Sequence, residues 1–273
     1  MTSTQQEKAR ALRELHRPGE PLVLANVWDA AGARLVAAAG ARAVATASAS
    51  VSWTLGSADG EAADRDEVLA QTALVVRSVG LPVTADLESG FGATAAEVGA
   101  TVEALLATGA VGVNLEDAGR PAAEAAERIA AARAAASAAG VDLFVNGRTD
   151  VFLHGIGDPA GRLDDAVARL RAYVEAGADG VFVPGVADPE TIAALVAAVP
   201  APLNVLAGPG SPSVPELAKL GVARVSLGPG LAKAAYAAVR RAAEEVYGAG
   251  TYGALDGGLT YQELNALGAG RAG

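Results

Sequence analysis

Short apolar runs alternate with longer amphipathic segments along almost the whole chain. The runs are PLVLANV (21–27), RAVATAS (42–48), LPVTADL (81–87), AVGVNLE (110–116), VDLFVNG (141–147), DGVFVPG (179–185), APLNVLA (201–207) and VARVSLG (222–228). Most are almost continuously apolar, as strands buried on both faces are. Between them lie Ala/Leu/Val segments with helical spacing, such as AGARLVAAAG (31–40) and DDAVARLRAYVEAGA (164–178). Glycine closes several of these just before the next run, at AAAG before Ala41, SVG before Leu81, ATG before Ala110 and SAAG before Val141. A helix commonly ends this way. Strands alternating with helices predict right-handed βαβ crossovers and a parallel sheet. Eight such units within roughly 200 residues predict a closed (β/α)8 TIM barrel. A dinucleotide-binding open sheet would place GxGxxG after the first strand, and NVWDAAGARL does not provide it. No linker is apparent, so a single domain over 1–273 is expected, with a helical lead-in at 1–20 and a helical tail at 241–273.

Composition narrows the function classes. The chain has 273 residues, 51% hydrophobic and 19% charged, which is globular rather than disordered. It contains no Cys, which removes disulfides, thiolate metal ligands and a Cys nucleophile. A formal net charge of −10 argues against a nucleic-acid partner. The N-terminus lacks the basic-then-apolar layout of a signal peptide, and no apolar run is long enough to span a bilayer. A cytoplasmic protein with no membrane partner is expected.

In a barrel of this kind the active site lies at the carboxyl ends of the strands. Polar residues just after the runs are Asn26, Trp28 and Asp29; Ser48, Ser50 and, beyond a loop, Asp59; Asp86 and Glu88; Asn114, Glu116 and Asp117; Asn146, Arg148 and Asp150; Asn204; and Ser226. Oxygen ligands without Cys or a well-placed His suit a hard ion, Mg2+ or Mn2+. Asp86 and Glu116 are the direct-ligand candidates, with Asp59 and Glu88 reaching through water. Alternation along the third strand turns Asp86 and Thr84 to the same side, whereas Glu88 already sits in the bend toward the loop. Arg148 suits a forked grip on a carboxylate or phosphonate. Each signal has a bland counterpart. Acids at a strand end are commonly solvated, Arg148 and Asp150 can form a local ion pair, and Trp28 and Trp53 suit packing. The turns GPGSPS and LGPGL suit either phosphate or tight bends. Convergence on one rim favours the metal reading.

These residues resemble the isocitrate lyase / phosphoenolpyruvate mutase superfamily from about Pro21 to Tyr236. The segments that carry the resemblance are ADLESGFG (85–92), similar to the family's DxDxGFG; GVNLED (112–117), similar to its IED; GRTD (147–150); and TASASVSWTLGSADGE (46–61). The resemblance implies Mg2+ held by Asp86 and Glu116 with Asp59 and Glu88 outside them. It also implies an α-keto acid carboxylate on the backbone at Ser48 and Ala49, and Arg148 polarising the developing enolate or binding the carboxylate. Arg148, Asp59 and Glu116 are the catalytic candidates; Trp28, Asn114 and Asn204 join Ser48, Ala49 and Arg148 as substrate contacts. The implied assembly is a homo-oligomer, dimer or tetramer, with an exchanged C-terminal helix. The implied chemistry is C–C or P–C bond cleavage or rearrangement beside the carbonyl of a small oxaloacetate-like or phosphonopyruvate-like acid, with decarboxylation demanding least. Departures are equally plain. After Asp117 the chain reads AGRPAAEAAERIAAAR, with neither the lyase KKCGH-type segment nor the mutase loop. Glu88 replaces the usual second Asp, Ser50 stands where many relatives have Gly, and Pro184-Gly185 replaces Pro-Glu. These differences argue against a true isocitrate or methylisocitrate lyase. The alternatives are a phosphate-binding barrel enzyme of another class, or a ligand-binding barrel that has lost turnover.

Overall fold

The computed structural model describes residues 4–269. Its strands are β1 (Leu22–Leu24), β2 (Val44–Ala45), β3 (Val83–Asp86), β4 (Gly112–Glu116), β5 (Phe144–Arg148), β6 (Gly180–Val183), β7 (Leu203–Leu206) and β8 (Arg224–Ser226). The helices are α1 (Gln5–Glu14), α2 (Ala30–Ala38), α3 (Ser48–Thr54), α4 (Arg65–Ser78), α5 (Ala95–Ala107), α6 (Ala122–Ala138), α7 (Arg162–Glu175), α8 (Pro189–Ala198), α9 (Val214–Lys219), α10 (Gly230–Gly248) and α11 (Tyr261–Ala269).

All seven strand pairings are parallel along the order β1-β8-β7-β6-β5-β4-β3-β2, and the seam between β1 and β2 is bridged at Val27–Thr46, where Val27 N–H donates to Ala45 O at 2.8 Å. The result is the expected (β/α)8 barrel. Each apolar run carries one strand, shorter than the run because the run's ends turn into loops; only β5 passes its run's end, by one residue at Arg148.

The floor of the barrel explains the lead-in. Thr4 and Glu7 form a capping box that starts α1, which satisfies two of the N–H groups a helix start leaves unpaired. Leu12 and Leu15 then pack with Leu22, Leu24 and Phe144 under the strands. A β-carbon at Gly112 would lie 2.7 Å from both Leu12 Cδ2 and Thr84 Oγ1, so glycine is what lets α1 close the barrel. His16 stacks on Phe144 at 3.8 Å, and burial, helped by the charge of Arg224, pushes its pKa down to about 3. It therefore stays neutral.

Above this plug the barrel interior is polar. Thr84, Asn114, Asn146, Asn204 and Arg224 are all buried at successive strand positions. Barrel interiors are usually filled by branched apolar side chains; here polar groups underlie the carboxyl-end rim. The apolar core lies instead between strands and helices, with Leu105, Ile129, Leu170, Tyr173, Ile192 and Leu195 among its fully buried members.

Of the tail expected at 241–273, residues 270–273 lie outside the described residues; position 241 falls inside α10, which runs unbroken from Gly230, and α11 lies against α2, where Arg34 Nη1 donates to the Leu267 carbonyl. Tyr247, Tyr252 and Tyr261 are exposed there. Among the described residues no helix is long and apolar enough to cross a membrane.

Candidate active site

The ADLESGFG turn is built to hold Asp86 at the end of β3. Glu88 and Phe91 both adopt left-handed backbone (φ 51° and 52°), as does Glu61 (φ 58°) in the loop after α3. Non-glycine residues rarely do this, and such strain persists where the surroundings enforce it. The enforcement is visible. Glu61 Oε1 accepts from Ser89 Oγ at 2.7 Å and from Phe91 N–H at 2.8 Å, and Glu61 N–H donates back to the Glu88 carboxylate. Arg128, itself buried, donates to the carbonyls of Ser89, Gly92 and Ala93 at 2.9–3.1 Å. At Gly90 a β-carbon would meet Val98 at 2.7 Å, so the turn presses directly onto α5.

The β4 and β5 ends are fixed by Asp117, which is buried and accepts from Thr149 Oγ1 (2.7 Å), Tyr173 Oη (2.9 Å), Arg169 Nη1 (3.2 Å) and the Asp150 N–H (3.1 Å). Beside it, Arg148 pairs with Glu116 at 2.6 Å and with Asp150 at 2.7 Å, and its guanidinium lies 5.7 Å over the Phe182 ring. Burial works against the Arg148 charge, yet Glu116, Asp86 and Asp150 outweigh it and hold the guanidinium pKa above its ordinary value. Burial raises Glu116 well above the usual carboxylate range, Arg148 opposing and Asp150, Asp86 and Glu88 adding. Glu88 is pushed up to about 7, by burial first and by Asp59, Asp86 and Glu61 in addition. The acids here outnumber the cations that could neutralise them.

A cavity of about 190 Å³ opens at this rim, and Ser48, Ala49, Asp59, Asp86, Asn114 and Arg148 line one side of it. Six of the predicted site residues thus meet in one place. Glu116 joins through its pair with Arg148. Glu88 is buried behind the turn, its carboxylate taken by the Glu61 backbone. Trp28 and Asn204 do not line the cavity. Trp28 sits 6.2 Å from the Tyr236 ring, and Asn204 lies below the floor, where its Oδ1 accepts from Ser226 Oγ at 3.2 Å.

Two features were not read from the sequence. Asn26 ties the barrel seam at its open end: its Nδ2 donates to Thr46 O at 2.8 Å and its Oδ1 accepts from Leu227 and Gly228 N–H at 3.0 Å. Arg224, fully buried, donates to Asn114 Oδ1 (3.2 Å) and Ser226 Oγ (3.2 Å), and its Nη1 has no partner among the described residues. Burial lowers its pKa to about 10, so it remains a cation at neutral pH. A guanidinium only donates, which settles the orientation of Asn114: its Oδ1, shared with Asn146 Nδ2 at 2.9 Å, points down, and its NH2 faces the cavity it lines. An arginine inside the apolar run VARVSLG was the available signal.

A divalent ion fits these residues. Asp86 Oδ1 is buried and unpartnered among the described residues, while its Oδ2 accepts only the long 3.3 Å contact from Ser48 N–H. No group of three or more His, Cys, Asp or Glu side chains among the described residues forms a ready cage. Mg2+ takes one or two direct carboxylates and keeps several waters, so the free Asp86 Oδ1 is the kind of ligand it needs.

The family model described as phosphoenolpyruvate phosphomutase matches residues 12–247. The chain belongs to the phosphoenolpyruvate mutase family. Solved structures agree. A chain from Burkholderia cenocepacia J2315 with a provisional phosphonomutase label is 46% identical, with TM-score 0.84 over 88% of this chain and 99% of that one. An oxaloacetate acetylhydrolase bound to its product oxalate is 27% identical (TM-score 0.85, 97% and 94% covered). A phosphonopyruvate hydrolase complexed with oxalate and Mg2+ is also 27% identical (TM-score 0.82, 96% and 94% covered). Mutases, lyases and hydrolases share this superfamily, and this phosphoenolpyruvate mutase family member is an enzyme of that kind.

Proposed function

We propose that this family member is a Mg2+-dependent enzyme that breaks or rearranges a C–C or P–C bond beside the carbonyl of a small α-keto acid. The observation that carries the reading is Asp86 Oδ1, without a partner among the described residues, on a side chain that lines a cavity with Asp59, Asn114 and Arg148. A bound Mg2+ would supply Lewis-acid stabilisation of negative charge on the substrate oxygens. Asp86 and, from its pair with Arg148, Glu116 would hold it, with Asp59 and Glu88 acting through water.

The remaining roles belong to the chain. Ser48 and Ala49 begin α3, so their N–H groups have no carbonyl four residues back; Ser48 N–H makes only the long 3.3 Å contact with Asp86 Oδ2, and the pair can receive a carboxylate. The Asn114 NH2 and the Arg148 guanidinium donate toward the oxygen on which charge develops, in a water-poor site where fixed donors count most. Phe182 behind Arg148 limits water access. The two relatives with bound oxalate support this reading, because oxalate has the shape and charge of a planar α-keto acid enolate. A homo-oligomer in the cytoplasm is part of the same proposal.

The test is an NMR assay of a panel of 2-oxo and 2-hydroxy acids with Mg2+. Consumption of at least one acid, abolished by EDTA and by Arg148→Met, is expected. Consumption unaffected by EDTA contradicts the proposal.

A further inference from the structure

The cavity is charged unevenly. Asp59 and Asp86 line it, while Arg148, its one lining cation, is already engaged by Glu116 and Asp150. The side from β6 round to β1 carries Phe182, Leu206 and Pro229 together with Asn26 and Ser226. The last two are neutral and have partners inside the protein. Asn26 binds Thr46 O and the Leu227 and Gly228 N–H groups, and Ser226 Oγ sits 3.2 Å from both Arg224 Nε and Asn204 Oδ1. None of these residues can neutralise a second negative charge on a bound acid.

A cation stands just beyond them. A second cavity of about 320 Å³ shares Leu206 and Pro229 with the first and continues past Gly185, Val186 and Leu227 to Lys233, on the first turn of α10. Lys233 is exposed and forms no salt bridge among the described residues. Ser211 lines the same cavity; its Oγ accepts from Gly208 N–H at 3.1 Å and keeps a hydrogen to give.

We propose that Lys233 is a specificity-determining residue, which binds a second anionic group carried on the part of the substrate that departs. The first carboxylate and the carbonyl occupy the acidic side, at Ser48, Asp86 and Arg148. This rests on the reading of the site as a Mg2+-dependent α-keto acid site. That chemistry needs a departing fragment, because the bond beside the carbonyl breaks only where both halves are stable afterwards. An anionic group on the fragment is repelled by Asp59 and Asp86, and it loses water in the cavity unless a cation meets it. Lys233 is the one cation lining the second cavity. Its ammonium, on a flexible four-carbon stem, can follow fragments of different length.

The experiment uses full-length protein with saturating Mg2+ and measures binding by calorimetry. Oxalate is the reference. 2-Oxoglutarate and 2-oxopentanoate form a matched pair that differs only in a terminal carboxylate against a methyl, and neither has a fragment that can leave, so recognition is read apart from cleavage. 2-Oxoadipate and 2-oxohexanoate repeat the comparison one carbon further out. The dianion should be favoured in at least one pair by roughly fivefold, the upper range for an ion pair open to solvent. The preference should shrink as salt is raised. Lys233→Gln should abolish it, Lys233→Arg keep it and Lys233→Glu reverse it. Oxalate should bind Lys233→Gln and Lys233→Arg as it binds the unaltered protein. No preference in either pair, or a preference that survives in Lys233→Gln, overturns the proposal and leaves the site reading intact. Failure of oxalate to bind with Mg2+ overturns the site reading, and the proposal with it.

Discussion

Replacing Arg148 by methionine keeps much of the side chain's bulk beside Phe182 but strands two carboxylates. Their side chains are 14% exposed at Glu116 and 0% at Asp150, so water compensates little. Removing one partner of a buried pair costs on the order of 3–5 kcal/mol. The lower end applies, because Glu116 already has a raised pKa and can take up a proton once its cation is gone. For a chain of this size that corresponds to a fall in Tm on the order of 10 °C. Urea unfolding followed by circular dichroism measures it directly. The double variant Arg148→Met/Asp150→Asn should recover about half of the loss, while Mg2+-dependent oxalate binding stays lost, since stability depends on charge balance and binding on the guanidinium. A loss below about 1 kcal/mol for the single variant, as for an exposed pair, would refute the claim that this triad is buried and balanced.

Two further outcomes follow from the same charges. Glu88 has a folded pKa of about 7 against an ordinary 4.5, so the folded state binds the extra proton; without Mg2+, the contribution of Glu88 to stability should be full below pH 4.5 and be lost as pH rises through about 7. Thermal unfolding across pH 4–8 should show Glu88→Gln flattening that fall, and identical profiles would contradict the assignment. Arg224→Met should leave Tm unchanged or raised, because this buried cation has no carboxylate partner. Oxalate affinity should nevertheless drop roughly tenfold as Asn114 loses the donor that orients it; calorimetry with unchanged affinity would show that Arg224 has no part in the site.

The barrel was legible because its signals are local. Eight apolar runs and the glycines that end the intervening helices are periodic features, and each run marks a strand, β5 alone extending one residue past its run. The rim residues Ser48, Asp59, Asp86, Asn114 and Arg148 followed from one rule, that strand ends face the site, and Ala49 from the family resemblance. That rule does not separate a residue lining the cavity from one a single layer below, so Asn204 was placed with the substrate although it lies under Ser226. Trp28 failed to line the cavity for a related reason: its ring turns to Tyr236, more than 200 residues away in sequence. Glu61 and Arg128 carry no local mark at all, because their work is to hold a turn that belongs to another βα unit. Arg224 was visible as a charge inside an apolar strand, and only the closed barrel reveals that it sits beneath the cavity.

The central claim is that Asp86 and its neighbours form a Mg2+-dependent α-keto acid site. Calorimetric titration of oxalate tests it most directly, with and without Mg2+, on the wild-type protein and Asp86→Asn. The account predicts tight oxalate binding only with Mg2+, weakened at least tenfold by Asp86→Asn. Oxalate binding that is absent, indifferent to Mg2+, or unchanged in Asp86→Asn would contradict it.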